Sequence, residues 1–120
     1  MNYHYKKEFA PVLRDGTKKH TIRSKAIATG RALKHIIYPY QRDKRECVLE
    51  NVCLCTQNIE IKPGVECIND GKVWIEGRLL NIEEMQQLAW NDGFPSLLSF
   101  WLYFKDAFKG HIIHWTVLKY

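Results

Sequence analysis

The chain has 120 residues, 46% of them hydrophobic and 26% charged, with neither glycine nor proline in excess. That composition suits one globular domain over residues 1–120 and excludes a disordered or low-complexity chain. The formal charge of +5 is unevenly spread: residues 1–50 carry 12 Lys/Arg against 5 Asp/Glu, and the remainder 6 against 8. A basic half suits a phosphate-bearing partner such as RNA, because Lys and Arg displace condensed counterions. No apolar leader opens the chain. The greasiest stretch, Leu97–Phe104 with Ser99 inside it, falls short of the ~18 apolar residues of a membrane span. The expectation is a soluble, cytoplasmic protein.

Phe9, Val12 and Leu13 recur at helical spacing and predict a short helix stopped by Gly16 after Asp15. The segment Gly16-Thr17-Lys18-Lys19-His20-Thr21-Ile22-Arg23 follows. It is rich in donors and poor in apolar bulk, so it is expected at a surface or cleft and not in the core. Gly30–Tyr40, with Leu33, Ile36, Ile37 and Tyr38, predicts a strand ended near Pro39, and Gln41–Glu46 a charged loop carrying Arg42, Lys44 and Arg45. Cys47–Ile61 reads as one long strand or two paired ones. Asn69-Asp70-Gly71 predicts a hairpin turn with arms Val65–Ile68 and Val73–Ile75.

The period then changes. Asn81 followed by Glu84 predicts a reciprocally capped helix with Ile82, Met85, Leu88 and Ala89 on one face. Asp92-Gly93-Phe94-Pro95 breaks it, and Ser96 is expected to cap a second helix reaching about Phe108 and ended by Gly110. His111–Tyr120 predicts a closing strand with Ile113, Trp115 and Val117 on one face. The sum is an α+β domain, a small β-barrel or curled sheet with helices laid against it.

Four cysteines (Cys47, Cys53, Cys55 and Cys67) have the spacing of neither a zinc site nor a secreted framework, and read as buried reduced thiols. His111 and His114, three apart in a strand, point to opposite faces, so neither a metal nor a cofactor is expected.

The segment from Gly16 to Arg23 resembles the G-x-K-x-x-T-I-R signature of the ASCH family. Asp92-Gly93-Phe94 before a Phe/Trp-rich helix resembles that family's acidic-Gly-Phe element, and Gly110-His111-Ile112-Ile113-His114-Trp115 its closing strand. The resemblance implies a small PUA-like β-barrel with flanking helices, and binding of RNA or a modified nucleoside in a basic cleft. One branch of the family consists of amidohydrolases that deacetylate acetylcytidine. By motif position its proposed catalytic Lys, Thr and acid fall on Lys18, Thr21 and Asp92. The acid is Asp where that branch has Glu, a reach shorter by ~1.5 Å.

The chemistry behind those roles is general. A threonine hydroxyl attacks an amide only if a base removes its proton, and lysine is a base only when its amine is neutral, which burial or neighbouring cations promote. Lys18 and Thr21 share a face if the backbone makes a helical turn there, and not if it is extended. Lys19, Arg23 and Arg42 are the candidate ligand-binding cations, Arg23 for a phosphate, ribose or carbonyl oxygen. Two other readings stand beside binding: the amidohydrolase with Thr21 as nucleophile, and a protein-interaction domain if Trp90, Phe94, Trp101 and Tyr103 form an exposed patch.

Overall fold

Alternation of inward Tyr3 and Tyr5 with outward Asn2 and His4 makes Asn2–Tyr5 a strand, β1. The computed structural model describes residues 1–38, 41–64 and 66–120. After β1 a single 3-10 turn leads into α1 (Ala10–Arg14), where Pro11 sits in the first turn and its missing N–H breaks no bond. Then come β2 (His20–Arg23), β3 (Ala32–Ile37), β4 (Glu46–Val52), β5 (Cys55–Lys62), β6 (Lys72–Ile75) and β7 (Arg78–Leu79). Helices α2 (Ile82–Asn91) and α3 (Leu97–Tyr103) and the last strand, β8 (Phe108–His114), complete the chain.

The strands form two sheets. One has the order β1-β3-β4, with β1 parallel to β3; the other is antiparallel with the order β2-β8-β5-β6-β7. This is an α+β architecture. Alternating residues of both sheets, among them Leu33, Ile59, Ile61, Val73 and Ile75, meet Leu13, Leu88 and Phe100 of the helices in one core. Each such side chain contributes about 1.5–3 kcal/mol by leaving water. Among the described residues no helix is long and apolar enough to cross a membrane.

Helix α2 begins as its sequence predicts: Asn81 Oδ1 accepts from Glu84 N (2.8 Å) and Glu84 Oε1 from Asn81 N (3.0 Å). Other expectations need correction. The segment 46–62 is two strands in different sheets, with Cys53 at the corner: its N–H donates to Arg31 O (2.9 Å), and its carbonyl accepts from Gly30 N (2.7 Å). Asn69-Asp70-Gly71 is no hairpin; Ile68–Asp70 is a 3-10 turn and β6 pairs with β5 and β7. Cys67 and Ile68 of the predicted arm Val65–Ile68 are therefore not in a strand, and Val65 itself lies outside the described residues, as do Pro39 and Tyr40 of the strand predicted over Gly30–Tyr40. Gly71 has φ −70° and serves a close approach: a Cβ there would lie 2.3 Å from Trp101 Cζ2. The indole in turn donates to Ile68 O (2.9 Å).

Helix α3 stops at Tyr103, five residues before its predicted end. Phe108 and Gly110 belong to β8, where Gly110 faces the β2 backbone so closely that a Cβ would lie 2.4 Å from Arg23 O. The closing strand ends at His114, and Val117 is 93% exposed instead of lining an inner face. All four cysteines are free, but only Cys53 is buried; Cys47 and Cys67 are exposed.

Candidate functional site: a polar chamber at the start of β2

Of the two places expected for the Gly16–Arg23 segment, surface or cleft, the second is found: Lys18, Thr21, Ile22 and Arg23 line a cavity. Lys18, His20 and Thr21 are all buried. Two backbone bonds draw it inward: Lys18 N donates to Val12 O (2.9 Å) and Lys19 N to Asn91 O (2.7 Å), lashing it between α1 and the end of α2. Polar side chains enter the interior without penalty only when their bonds are satisfied there, and these are.

Lys18 Nζ donates to Asp92 O (2.6 Å) and Asp92 Oδ1 (3.0 Å). It also lies 4.9 Å from the centre of the Phe9 ring and 5.5 Å from that of Tyr5. Asp92 caps the C-terminus of α2, and Gly93 turns the chain at φ +92°. A side chain at Gly93 would crowd Val12 Cγ2 (3.0 Å) and Lys18 Cδ (3.2 Å), so the missing Cβ leaves room for the Lys18 stem.

Behind Asp92 runs a directed chain of donors. Gln87 Nε2 donates to Asn91 Oδ1 (2.9 Å), and Asn91 Nδ2 to the Tyr120 hydroxyl (3.0 Å). That leaves the Tyr120 proton for His20 Nε2 (2.6 Å) and the His20 Nδ1 proton for Asp92 Oδ1 (3.2 Å). His20 is thus a neutral imidazole, consistent with burial pushing its pKa down against the pull of Asp92. Burial pushes Lys18 down as well. Asp92 opposes that shift, and the Arg23 charge adds to it.

Thr21 and Arg23 lie two apart in β2, and so on one face of it. Arg23 Nε donates to Thr21 Oγ1 (3.1 Å) and Nη2 to His4 O (3.3 Å), while its guanidinium carbon lies 4.7 Å from the Tyr3 ring centre and 5.0 Å from that of Tyr5. The Tyr5 hydroxyl donates to His35 Nδ1 (2.8 Å), and His35 Nε2 to Asn51 Oδ1 (2.8 Å). Tyr5 therefore turns oxygen lone pairs, not a proton, toward Thr21 and Arg23.

Lys18, Thr21, Arg23, Asp92 and Tyr5 line one cavity of about 40 Å³, with Phe9, Phe94 and Tyr103 on its apolar side. Lys18 and Thr21 meet there although β2 is extended, because Lys18 precedes the strand and approaches from the bend. Two candidate residues are absent from it. Lys19 reaches back to Gly16 O (3.4 Å), and Arg42 is exposed in the turn after Gln41. Tyr5 and Tyr120 were outside the candidate set, and His20 lay within the donor-rich segment without a role of its own. The Tyr3/Tyr5 alternation was a usable signal for Tyr5, whereas nothing local marks Tyr120.

Among the described residues no group of three or more His, Cys, Asp or Glu side chains is arranged to hold a metal. Three of the N-terminal cations have acidic partners: Arg14 with Glu46, Lys18 with Asp92 and Lys34 with Glu50 (3.8 Å). No family model, curated protein or solved structure matches the chain.

The buried histidines make stability pH-dependent. Burial holds His35 and His114 at about 4, and His114 Nδ1 is buried with no partner to take a proton. The unfolded chain binds these protons from about pH 6.5 downward and the folded chain does not. Stability is thus fully present above about 6.5 and falls as the pH drops toward 4, by up to about 3 kcal/mol for each histidine. Urea unfolding at pH 7 and pH 4.5 checks this; equal stability at the two values contradicts the neutral assignment.

Proposed function

We propose that the chain is an ASCH-type, PUA-like domain that binds an acylated nucleoside with the acyl group seated in the chamber. One observation carries the reading. Lys18 and Asp92, 74 residues apart in sequence, meet with Thr21 and Arg23 around a single small space of about 40 Å³. A water's share of liquid volume is ~30 Å³, so the space suits a group of acetyl size. Its walls offer what a carbonyl needs, a guanidinium and an ammonium as donors, with aromatic edges around the methyl. Binding of RNA through the basic half is a second reading, but Lys19 and Arg42 do not join Lys18 and Arg23 in the cavity, so the cations do not form one cleft.

Calorimetric titration with acetylcytidine tests the reading. Wild type binds it, with an affinity little affected by salt because the ligand is uncharged, and Arg23→Ala weakens binding by at least about tenfold through loss of a charged hydrogen bond. Unchanged affinity in Arg23→Ala, or a steep fall in affinity with salt, contradicts it.

A second step, hydrolysis of the bound amide, draws on the fraction of Lys18 that has lost its proton, which burial and the Arg23 charge enlarge and Asp92 reduces. In it Thr21 Oγ attacks the acyl carbon as its proton passes to that deprotonated Lys18 amine, and Arg23 holds the carbonyl oxygen as it gains charge. The C–N bond breaks, and the departing amine takes the proton from the Lys18 ammonium. Water then attacks the acyl-threonine ester with Lys18 again as base, releasing the carboxylic acid and restoring the hydroxyl. Asp92 orients Lys18 through its carbonyl and carboxylate, and His20 and Tyr120 hold Asp92 in place.

A further inference from the structure

A chamber of about 40 Å³ has no room for a base or a sugar, so an acyl nucleoside held there must extend beyond it. Beside it lies a groove of about 680 Å³, between the helical turn at Phe9–Val12 and the junction of α2 with α3. The groove and the chamber share Phe9, Phe94 and Tyr103. We infer that this groove is the second half of the site and takes an uncharged planar ring system, a nucleobase on an unphosphorylated sugar. The inference rests on the acyl-nucleoside reading of the chamber.

Three observations carry it. The groove has the volume ordinary for a small-molecule site. It is aromatic and partly bare: Trp90 is 52% exposed, Tyr103 50% and Leu102 64%, a costly surface to leave in water. Phe94 stands edge-on to Phe9 (centres 5.4 Å apart) and lies 5.3 Å from Tyr103, so the shared wall is a set of ring edges and faces on which a base can stack. The charge at the rim decides between ligands. Glu8 and Asp15 line the groove against Lys6 alone, and the Lys6 ammonium already sits over the Tyr103 ring, 5.7 Å from its centre. A phosphate would meet net negative charge there, whereas a neutral ring would not.

The test is titration of the intact chain with acetylcytidine and with its 5′-monophosphate, followed by the amide signals of Thr21 and Arg23 and the indole N–H of Trp90. The nucleoside should bind at least about tenfold more tightly than the monophosphate, and Trp90→Ala should weaken it by about tenfold, as loss of a stacking ring does. Glu8→Gln should narrow the preference against the phosphate. If the nucleoside shifts Thr21 and Arg23 while Trp90→Ala binds it equally well, or if the monophosphate binds as tightly, the groove inference is overturned and the chamber reading stands. If acetylcytidine leaves Thr21 and Arg23 unmoved, the chamber reading fails. Caffeine, an uncharged ring with no acyl amide, then judges the groove alone: shifts at Trp90 and Tyr103 support it, and their absence overturns it. A concentration-dependent dimer that Trp90→Ala abolishes would assign the groove to a second copy of the chain and overturn the inference as well.

Discussion

Alanine at position 21 is expected to leave the protein folded and able to bind acetylcytidine, while its deacetylation falls by at least ~10³-fold, as loss of a nucleophile does elsewhere. The substitution removes one hydroxyl that accepts from Arg23 Nε. Arg23 keeps its bond to His4 O and its place over the Tyr3 and Tyr5 rings, so the structural cost is about 1 kcal/mol. Thr21→Ser retains the nucleophile and should retain measurable turnover. Chromatography of the nucleoside products, run beside a thermal melt, separates chemistry from folding. A Thr21→Ala protein with wild-type turnover would remove Thr21 from the mechanism and leave Lys18-assisted attack by water as the alternative.

The second large effect is on stability. Asp92→Asn should cost about 3–5 kcal/mol at pH 7, the usual result of removing one partner from a buried ion pair. Lys18 would keep only the Asp92 carbonyl as a strong acceptor, with its ammonium still out of water, and the His20 Nδ1 proton would lose its charged partner. The loss has a predictable pH dependence. Folded Lys18 already titrates below its ordinary 10.5, and losing Asp92 lowers it further, because that carboxylate is what holds it up. The folded variant then binds fewer protons than the unfolded chain, so its stability rises with pH across the window between the folded value and 10.5. The double variant Lys18→Met/Asp92→Asn, which removes the stranded charge, should recover at least half of the loss. Urea unfolding measures all of this. A cost below about 1 kcal/mol would mean that Lys18 and Asp92 do not form a buried ion pair at pH 7.

What could be read before the fold was known follows a physical line. The α2 cap was legible because a capping box is local: Asn81 and Glu84 satisfy each other's backbone within one turn. The convergence of Lys18, Thr21 and Asp92 was legible only through the motif, since nothing in local spacing joins positions 18 and 92. Gly71 and Gly110 misled because glycine has two uses. The turn rule assumes it is there for φ > 0, whereas here a Trp101 indole and the β2 backbone need the missing Cβ. Charge misled in the same way. Lys18, Lys19, Arg23 and Arg42 are equally cationic on paper, but direction is set by the backbone ties of the 18–19 bend, which turn Lys18 inward and Lys19 back to Gly16. His20 and Tyr120 looked like ordinary polar residues because their partners come from 72 and 100 residues away.

The most direct test of the central claim is a titration of isotope-labelled protein with acetylcytidine, read at the backbone and side-chain signals of residues 18–23 and 92. The account predicts saturable shifts concentrated at Lys18, Thr21, Arg23 and Asp92, with the exposed Arg42–Arg45 turn unmoved. Shifts confined to that turn and other surface cations, or none at millimolar ligand, would contradict it.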